Sequence, residues 1–118
     1  MKSGKLCWLW LLLMCGWASG VAAQEAAKPT RVLMVTQSAG FRHGSVTRKD
    51  GMLAPAERAV TEIGVSSNLF RVDCTQDVKK DFTKANLQNY DIVFFYTTGE
   101  LPIEPADLEY FFKEWLPQ

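Results

Sequence analysis

Several patterns that carry specific chemistry are missing from the sequence. It holds one histidine in 118 residues and has no CxxC, HExxH or multi-histidine motif, so it encodes no complete zinc site. Neither a GxGxxG spacing nor the P-loop lysine is present, which leaves nucleotide binding with little support. No repeats or low-complexity runs occur either.

Charge of one sign is not in excess. Lys plus Arg number 13 and Asp plus Glu number 13, so the formal net charge is zero and the pI is near 6.6. A neutral chain has no electrostatic basis for non-specific binding to nucleic acid, so no nucleic-acid partner is predicted. Hydrophobic residues make up 47% and charged residues 22%, which is a globular composition. The length allows one small domain.

The N-terminal segment predicts export. Lys2 and Lys5 precede the apolar stretch Leu6–Trp17, and the small residues Val21 and Ala23 follow it. A basic start, a short apolar centre and a small-x-small end are typical of a cleaved signal peptide, here residues 1–23. The mature chain is therefore expected in the periplasm or outside the cell.

Two alternatives to a cleaved signal are a membrane anchor and a lipoprotein signal at Cys15. The apolar run is shorter than the roughly 20 residues that span a bilayer. Met14 stands before the cysteine, where lipoprotein signals have a small residue. We therefore expect no stable membrane anchor after cleavage, a polar lead-in at 24–30 and one domain over 31–118.

Cysteine is scarce once this segment is removed. Cys7 and Cys15 are lost with it and Cys74 alone remains, so the mature chain cannot form an internal disulfide. No histidine lies near Cys74 in sequence to activate it. It is interpreted as a small buried residue at the end of a strand rather than a nucleophile.

The rest of the chain alternates strands and helices, which predicts a parallel sheet with right-handed crossovers and three layers. The apolar or alternating runs Arg31–Thr36, Asn68–Asp73 and Asp91–Tyr96 are the predicted strands. The expected order is 2-1-3, with the first strand central.

Helices are predicted between these strands and after them. One begins near Pro55, ends at a left-handed Gly64 and has an apolar stripe. A helical turn is expected over Thr83–Asn89, with Leu87 and Tyr90 packing inward. A last helix begins at Glu104 and has a wide stripe. The two stripes consist of Ala56, Ala59, Val60 and Ile63, and of Leu108, Phe111, Phe112, Trp115 and Leu116.

The third predicted strand carries five apolar residues in a row and has only one predicted neighbour. Such a strand normally has a neighbour on each side and helices on both faces. An exposed edge on a three-stranded sheet would be marginal. We expect the chain to be the N-terminal part of a larger α/β domain. The alternative is a complete small domain that self-associates through this edge.

Ligands of open α/β sheets bind beyond the carboxyl ends of the strands, where the strand order reverses. Here that point lies between the loops Gln37–Ser45 and Thr97–Ile103. In the first loop, Arg42 is a donor for carboxylate, phosphate or vicinal hydroxyls, and His43 is a candidate general acid, general base or metal ligand. The alternative for His43 is a hydrogen bond that ties the loop.

The remaining candidates shape the loops or supply hydroxyls and one carboxylate. Ser45 is a helix cap or a ligand contact rather than a nucleophile. Glu100 alone cannot supply the two carboxylates of a standard glycosidase, and it is otherwise a solvated turn residue. The loop-shaping candidates are Gly40, Phe41 and Gly44, and the ligand-binding candidates of the second loop are Thr97, Thr98, Gly99 and Glu100.

The segment Arg31–Ser45, RVLMVTQSAGFRHGS, resembles the first strand and loop of the ThuA-like (trehalose utilisation) family. The similarity continues to Asn86–Tyr96, NLQNYDIVFFY, and to the following Thr97–Gly99. The resemblance implies a flavodoxin-like, class I glutamine-amidotransferase-like fold and a link to sugar metabolism. It supports Arg42 and His43 as site residues.

The chain departs from that family after its last helix, because the expected glycine-rich strand and a further histidine are not in the sequence. The resemblance therefore implies half a site. Three hypotheses follow: a domain acting on or binding a carbohydrate or its oxidised derivative, a non-catalytic module for sugar or protein, and an inactive fragment. In a full-length domain, His43 would bind a divalent metal or move a proton, and Arg42 would hold the ligand.

Overall fold

A computed structural model describes residues 28–118, so the predicted signal peptide and most of the polar lead-in lie outside the described residues. Within this part of the chain, no helix is long and apolar enough to cross a membrane. The elements, in chain order, are β1 (Thr30–Val35), a 3₁₀ turn (Gly44–Val46), α1 (Pro55–Ser67), β2 (Phe70–Thr75), α2 (Val78–Asp81), α3 (Lys84–Leu87), β3 (Ile92–Phe95), α4 (Pro105–Tyr110) and a π-helical turn (Phe111–Trp115).

The three strands form a parallel sheet in the order β2-β1-β3, as predicted. Val32 of β1 is in register with Val72 of β2 on one side and with Ile92 of β3 on the other. The chain is therefore an α/β fold with its first strand at the centre of the sheet. That strand is buried on both faces from Val32 to Val35, which explains its uninterrupted apolar sequence.

The prediction that Gly64 ends the first helix is wrong. Helix α1 continues to Ser67, and Asn68 takes the left-handed conformation with φ of 57°. Asn is one of the few residues other than glycine that tolerates this conformation. The longer helix delays β2, which begins at Phe70 rather than at the predicted Asn68.

Gly64 serves another purpose, which is close contact between the helix and β2. A Cβ at this position would lie 2.8 Å from two ring carbons of Phe70 and 2.8 Å from its carbonyl oxygen. Only a residue without a side chain allows this approach. The glycine therefore sets the distance between α1 and the sheet.

The apolar stripe predicted for α1 is also wrong in part. Ala59 and Ile63 are exposed, Ile63 at 57% of its surface, whereas Glu57 and Gly64 are buried. The face of α1 toward the sheet is thus partly polar and partly glycine. A search for apolar residues at helical spacing cannot identify such a face, because the burial of Glu57 depends on partners from elsewhere in the chain.

The main core lies on the opposite face of the sheet. Short helices α2 and α3 and the C-terminal helix cover this face, and the prediction of Leu87 as an inward residue is confirmed. Helix α2 was not predicted; Asp77 caps it by accepting a hydrogen bond from the Lys80 amide. The buried residues of this core are Leu33, Val35, Val78, Phe82, Leu87, Tyr110 and Phe111.

The last helix departs from a regular α-helix at Phe111. The Leu116 amide donates to the Phe111 carbonyl five residues earlier, which closes a π-helical turn. The apolar stripe predicted for this helix is wrong in part, since Leu108 is 39% exposed and Phe112 and Leu116 are more than half exposed. Trp115 stays partly buried and donates its indole N–H to the Leu87 carbonyl at 2.9 Å.

Strand β3 lies at the edge of the sheet, and among the described residues no strand pairs with its outer side. Ile92, Phe94 and Phe95 are each 40–48% exposed. An apolar groove of about 290 Å³ runs between β3 and α1, with Val32 and Val60 among its lining residues. The strand is apolar on both faces yet covered incompletely on each.

Candidate functional site

The loops that follow β1 and β3 lie side by side at the carboxyl ends of the strands. Ser38 and Thr98 form a parallel bridge that extends the sheet by one pair. The Ala39 amide donates to the Thr98 carbonyl at 2.8 Å, and the Thr98 hydroxyl donates to the Phe41 carbonyl at 2.5 Å. Thr98 thus joins the two loops through its backbone and its side chain.

Of the three glycines among the predicted site residues, Gly40, Gly44 and Gly99, only Gly99 occupies a position that requires glycine. Gly99 has φ of 74°, and a Cβ there would lie 3.0 Å from the Ala39 carbonyl carbon. A Cβ at Gly40 would come no closer than 4.0 Å, to the Gly99 Cα, and a Cβ at Gly44 would meet nothing within 4 Å. The close approach of the loops therefore depends on Gly99 rather than on Gly44.

Arg42 and His43 lie at the exposed tip of the first loop. The Phe41 ring is 72% exposed and meets the His43 ring edge-on, with 4.8 Å between the ring centroids. Neither the Arg42 guanidinium nor the His43 imidazole has a hydrogen-bond partner in residues 28–118. Both side chains are exposed, and neither ties the loop to another part of residues 28–118 through a hydrogen bond.

The other predicted contacts divide between two places. The Ser45 hydroxyl lies 3.1 Å from the Tyr96 hydroxyl, which joins the loop to the end of β3, and it caps no helix. Thr97 and Glu100 line a separate, open pocket of about 450 Å³ beside β3, together with Leu101 and other apolar side chains. Thr98 thus contacts the residue before Arg42, and Ser45 contacts Tyr96, whereas Thr97, Gly99 and Glu100 line the pocket beside β3.

A buried polar cluster next to the first loop was not predicted. The Glu57 side chain has no exposed surface, and Arg48 donates to both of its oxygens at 2.8–3.1 Å. The Ala54 amide donates to the same carboxylate at 2.8 Å and the Thr36 hydroxyl at 2.5 Å. The one sequence signal was a glutamate at the third position of a helix that starts with Pro55, a position that commonly caps the helix start.

The cluster extends to β2 and to the 3₁₀ turn. Arg48 also donates to the Cys74 carbonyl at 3.0 Å, and the Gln76 amide donates to the Val46 carbonyl at 2.8 Å. It therefore fastens the downstream part of the first loop to the ends of two strands and to the start of α1.

The ionisation of the cluster follows from its contacts. Burial acts to raise the pKa of Glu57, but the hydrogen bonds from Arg48, Thr36 and Ala54 outweigh it and hold that pKa below its ordinary value. The hydrogen bond to Glu57 raises the pKa of Arg48, although burial opposes this. Both groups are charged at neutral pH, so the cluster contains an ion pair whose carboxylate is fully buried.

Cys74 lies in β2 as a half-buried free thiol. Burial raises the pKa of its thiol, and its Sγ lies 3.9 Å from the Thr61 hydroxyl. A raised pKa lowers the thiolate fraction and with it the nucleophilicity. These features fit the interpretation of Cys74 as a packing residue.

The residues present do not fit a metal ion at His43. In residues 28–118, no three or more His, Cys, Asp or Glu side chains are grouped as they would be around a metal ion. A single imidazole does not make a structural zinc site.

Comparisons with known proteins add no family to this picture. No family model matches the chain, and neither a curated protein nor a solved structure is significantly similar to it.

Proposed function

We propose that this chain is the N-terminal part of an exported ThuA-like domain with a flavodoxin-like fold, and that its paired loops bind a carbohydrate or an oxidised sugar. The proposal is supported by the GFRH segment and by the TTG segment after β3. The observed order β2-β1-β3 puts these segments at one end of the sheet, where ligands of open α/β folds bind.

The observation that carries the proposal is the exposed guanidinium of Arg42, which has no hydrogen-bond partner among residues 28–118 and lies on a tied loop. A guanidinium donates two parallel hydrogen bonds to a carboxylate or to vicinal hydroxyls. Thr98 fastens the loop beneath it through the Phe41 carbonyl, so part of the ordering cost is met before the ligand arrives. An aldonate, which carries both a carboxylate and vicinal hydroxyls, matches this donor better than a neutral sugar.

Binding without catalysis is the function that this chain's own residues favour. His43 is exposed on the loop tip, and Glu100, the one carboxylate among the predicted site residues, lines the pocket beside β3. General acid–base catalysis usually places two groups within hydrogen-bond reach of the substrate. A reaction at this site would need groups supplied by other polypeptide.

The incomplete cover of β3 supports the proposal that the chain is part of a larger domain. Phe94 and Phe95 point to opposite faces of the sheet, and each is about 40% exposed. A neighbouring strand and a helix on each face would bury them. Self-association through the same edge is the alternative proposal, which the aggregation tendency of open apolar edges supports.

A binding experiment tests the proposed ligand class. Gluconate and trehalose are titrated separately into the purified chain, and the NMR signals of the single histidine report on the loop tip. We expect saturable shifts with gluconate, and Arg42→Ala should weaken its affinity by about tenfold or more, since a hydrogen bond to a charged group is worth about 1.5–3 kcal/mol. Lys113→Ala removes the same charge from a distant exposed site and should leave the affinity unchanged.

The absence of saturable shifts with either ligand would reject carbohydrate binding by this chain. Equal weakening by Arg42→Ala and Lys113→Ala would show that gluconate responds to net charge alone.

A further inference from the structure

We propose that Arg48 and Glu57 are positioning residues for the loop tip that carries Arg42 and His43. Neither residue is part of the predicted site. The proposal rests on the proposed function in one respect, which is that the loop tip is the surface that binds the ligand. The coupling between the ion pair and the tip can itself be measured without a ligand.

The tip is held at both of its ends. Upstream, the Ala39 amide and the Phe41 carbonyl bond to Thr98 on the neighbouring loop. Downstream, Val46 is 97% buried, and its carbonyl accepts a hydrogen bond from Gln76. Residues 42–45 therefore span the distance between two fixed points.

The downstream end is joined to the tip by two hydrogen bonds to the His43 carbonyl. The Val46 amide donates to the His43 carbonyl at 3.1 Å, and the Thr47 hydroxyl donates to the same oxygen at 3.0 Å. Arg48 is the next residue after this turn. A displacement of Arg48 must therefore move the backbone that carries the His43 ring.

Arg48 is held by a geometry that no other side chain reproduces. Its Nε and Nη2 both bond to the Glu57 carboxylate, and its Nη2 also bonds to the Cys74 carbonyl. A planar guanidinium meets a carboxylate with two bonds in a fixed orientation, whereas a lysine ammonium makes a single movable contact. The pair thus fixes the direction of the chain as well as its position.

Glu57 supplies the fixed side of this contact. Its carboxylate is bonded to Thr36 at the end of β1 and to the Ala54 amide at the start of α1. Because it is fully buried, it cannot exchange Arg48 for water, and an unpaired buried carboxylate would be strongly unfavourable. Arg48 is one-third exposed, so it is the partner that would move into solvent if the pair were broken.

The single histidine makes the test direct. In a protein purified without a histidine tag, the imidazole carbon-bound protons of His43 give the chain's only histidine signals, and the Phe41 ring at 4.8 Å shifts them by its ring current. The variants are Arg48→Met and Arg48→Lys. Leu87→Ala is the matched control, because it opens a cavity in the core on the other face of the sheet and lowers stability without touching the loop.

We expect both Arg48 variants, measured while folded by circular dichroism, to lose the ring-current shift of His43. Leu87→Ala should keep the wild-type signals even though its melting temperature falls. Adding the Glu57→Gln substitution to Arg48→Met should change the signals no further, since the two residues act as a pair.

Wild-type His43 signals in a folded Arg48→Met protein would overturn the proposal. Equal displacement of the signals in Leu87→Ala would overturn it too, because the tip would then respond to general destabilisation. If both Arg48 variants fail to fold while Leu87→Ala folds, the pair serves folding rather than positioning, and the proposal is rejected. Gluconate binding by the wild-type chain is measured in a separate experiment. Rejection of the positioning role would therefore not by itself reject the proposed ligand class.

Discussion

Replacing Gly64 by alanine sets two known effects against each other within α1. Helix propensity alone favours the substitution by about 0.8–1 kcal/mol, because glycine is the weaker helix former. The structure opposes it, because the new Cβ would lie 2.8 Å from the Phe70 ring and from the Phe70 carbonyl oxygen. Overpacking of this kind costs about 1–3 kcal/mol.

The contact with the carbonyl oxygen decides the sign. The Phe70 ring atoms can move by a few tenths of an ångström when the side chain rotates, but the Phe70 carbonyl belongs to β2 and is fixed by the sheet. We therefore expect Gly64→Ala to lower the free energy of unfolding by about 1 kcal/mol. For a domain of this size, that corresponds to a fall in melting temperature of about 4–8 °C.

Urea denaturation monitored by circular dichroism gives the change, and two variants separate its causes. Ser66→Ala, at an exposed position of the same helix, combines a gain in helix propensity with the loss of one exposed hydrogen bond to the Ile63 carbonyl, and it should change stability by only a few tenths of a kcal/mol. In a Phe70→Leu background, Gly64→Ala should cost less than in the wild type but should not become stabilising, since the carbonyl contact remains. A higher melting temperature for Gly64→Ala in the wild-type background would refute the reasoning.

Three further predictions concern acid stability, association and the loops. Because the pKa of Glu57 is depressed on folding, its contribution to stability is full above its ordinary value of 4.5 and is lost as the pH falls through the lower folded value; Glu57→Gln should flatten this part of a stability-versus-pH curve, and an unchanged slope would contradict the assignment. Ile92→Lys should reduce concentration-dependent association in sedimentation velocity, whereas Val65→Lys, at an exposed site away from the groove, should not. Gly99→Ala should destabilise the protein by about 1–3 kcal/mol in urea, because it combines a positive φ with a 3.0 Å approach to Ala39.

The sheet could be predicted from the sequence because its strands differ strongly in composition from their surroundings. Arg31–Thr36 and Asp91–Tyr96 each match the observed strand to within one residue at either end. Helix α1 was located by Pro55 at its first position. The predicted end of this helix was wrong because a glycine can permit either a left-handed turn or a close contact. The sequence alone does not distinguish these two uses.

The site was predictable only in its location. Strand order places the two loops together, but their contacts depend on Thr98 and Tyr96 in ways that no local pattern specifies. The cluster around Glu57 was missed because its members come from four separate segments. A buried charge is recognised by its partners, and those become neighbours only after the chain has folded.

The central place of β1 fixes when this chain can begin to fold. Thr30 pairs with Phe70 about 40 residues later, and Val32 pairs with Ile92 about 60 residues later. During synthesis the most buried strand therefore has no partner until most of the chain has been made, and contacts between such distant residues form slowly. A long unfolded interval exposes the chain to aggregation. The order of strands in this sheet thus delays the complete sheet until the segment that contains all three strands has been synthesised.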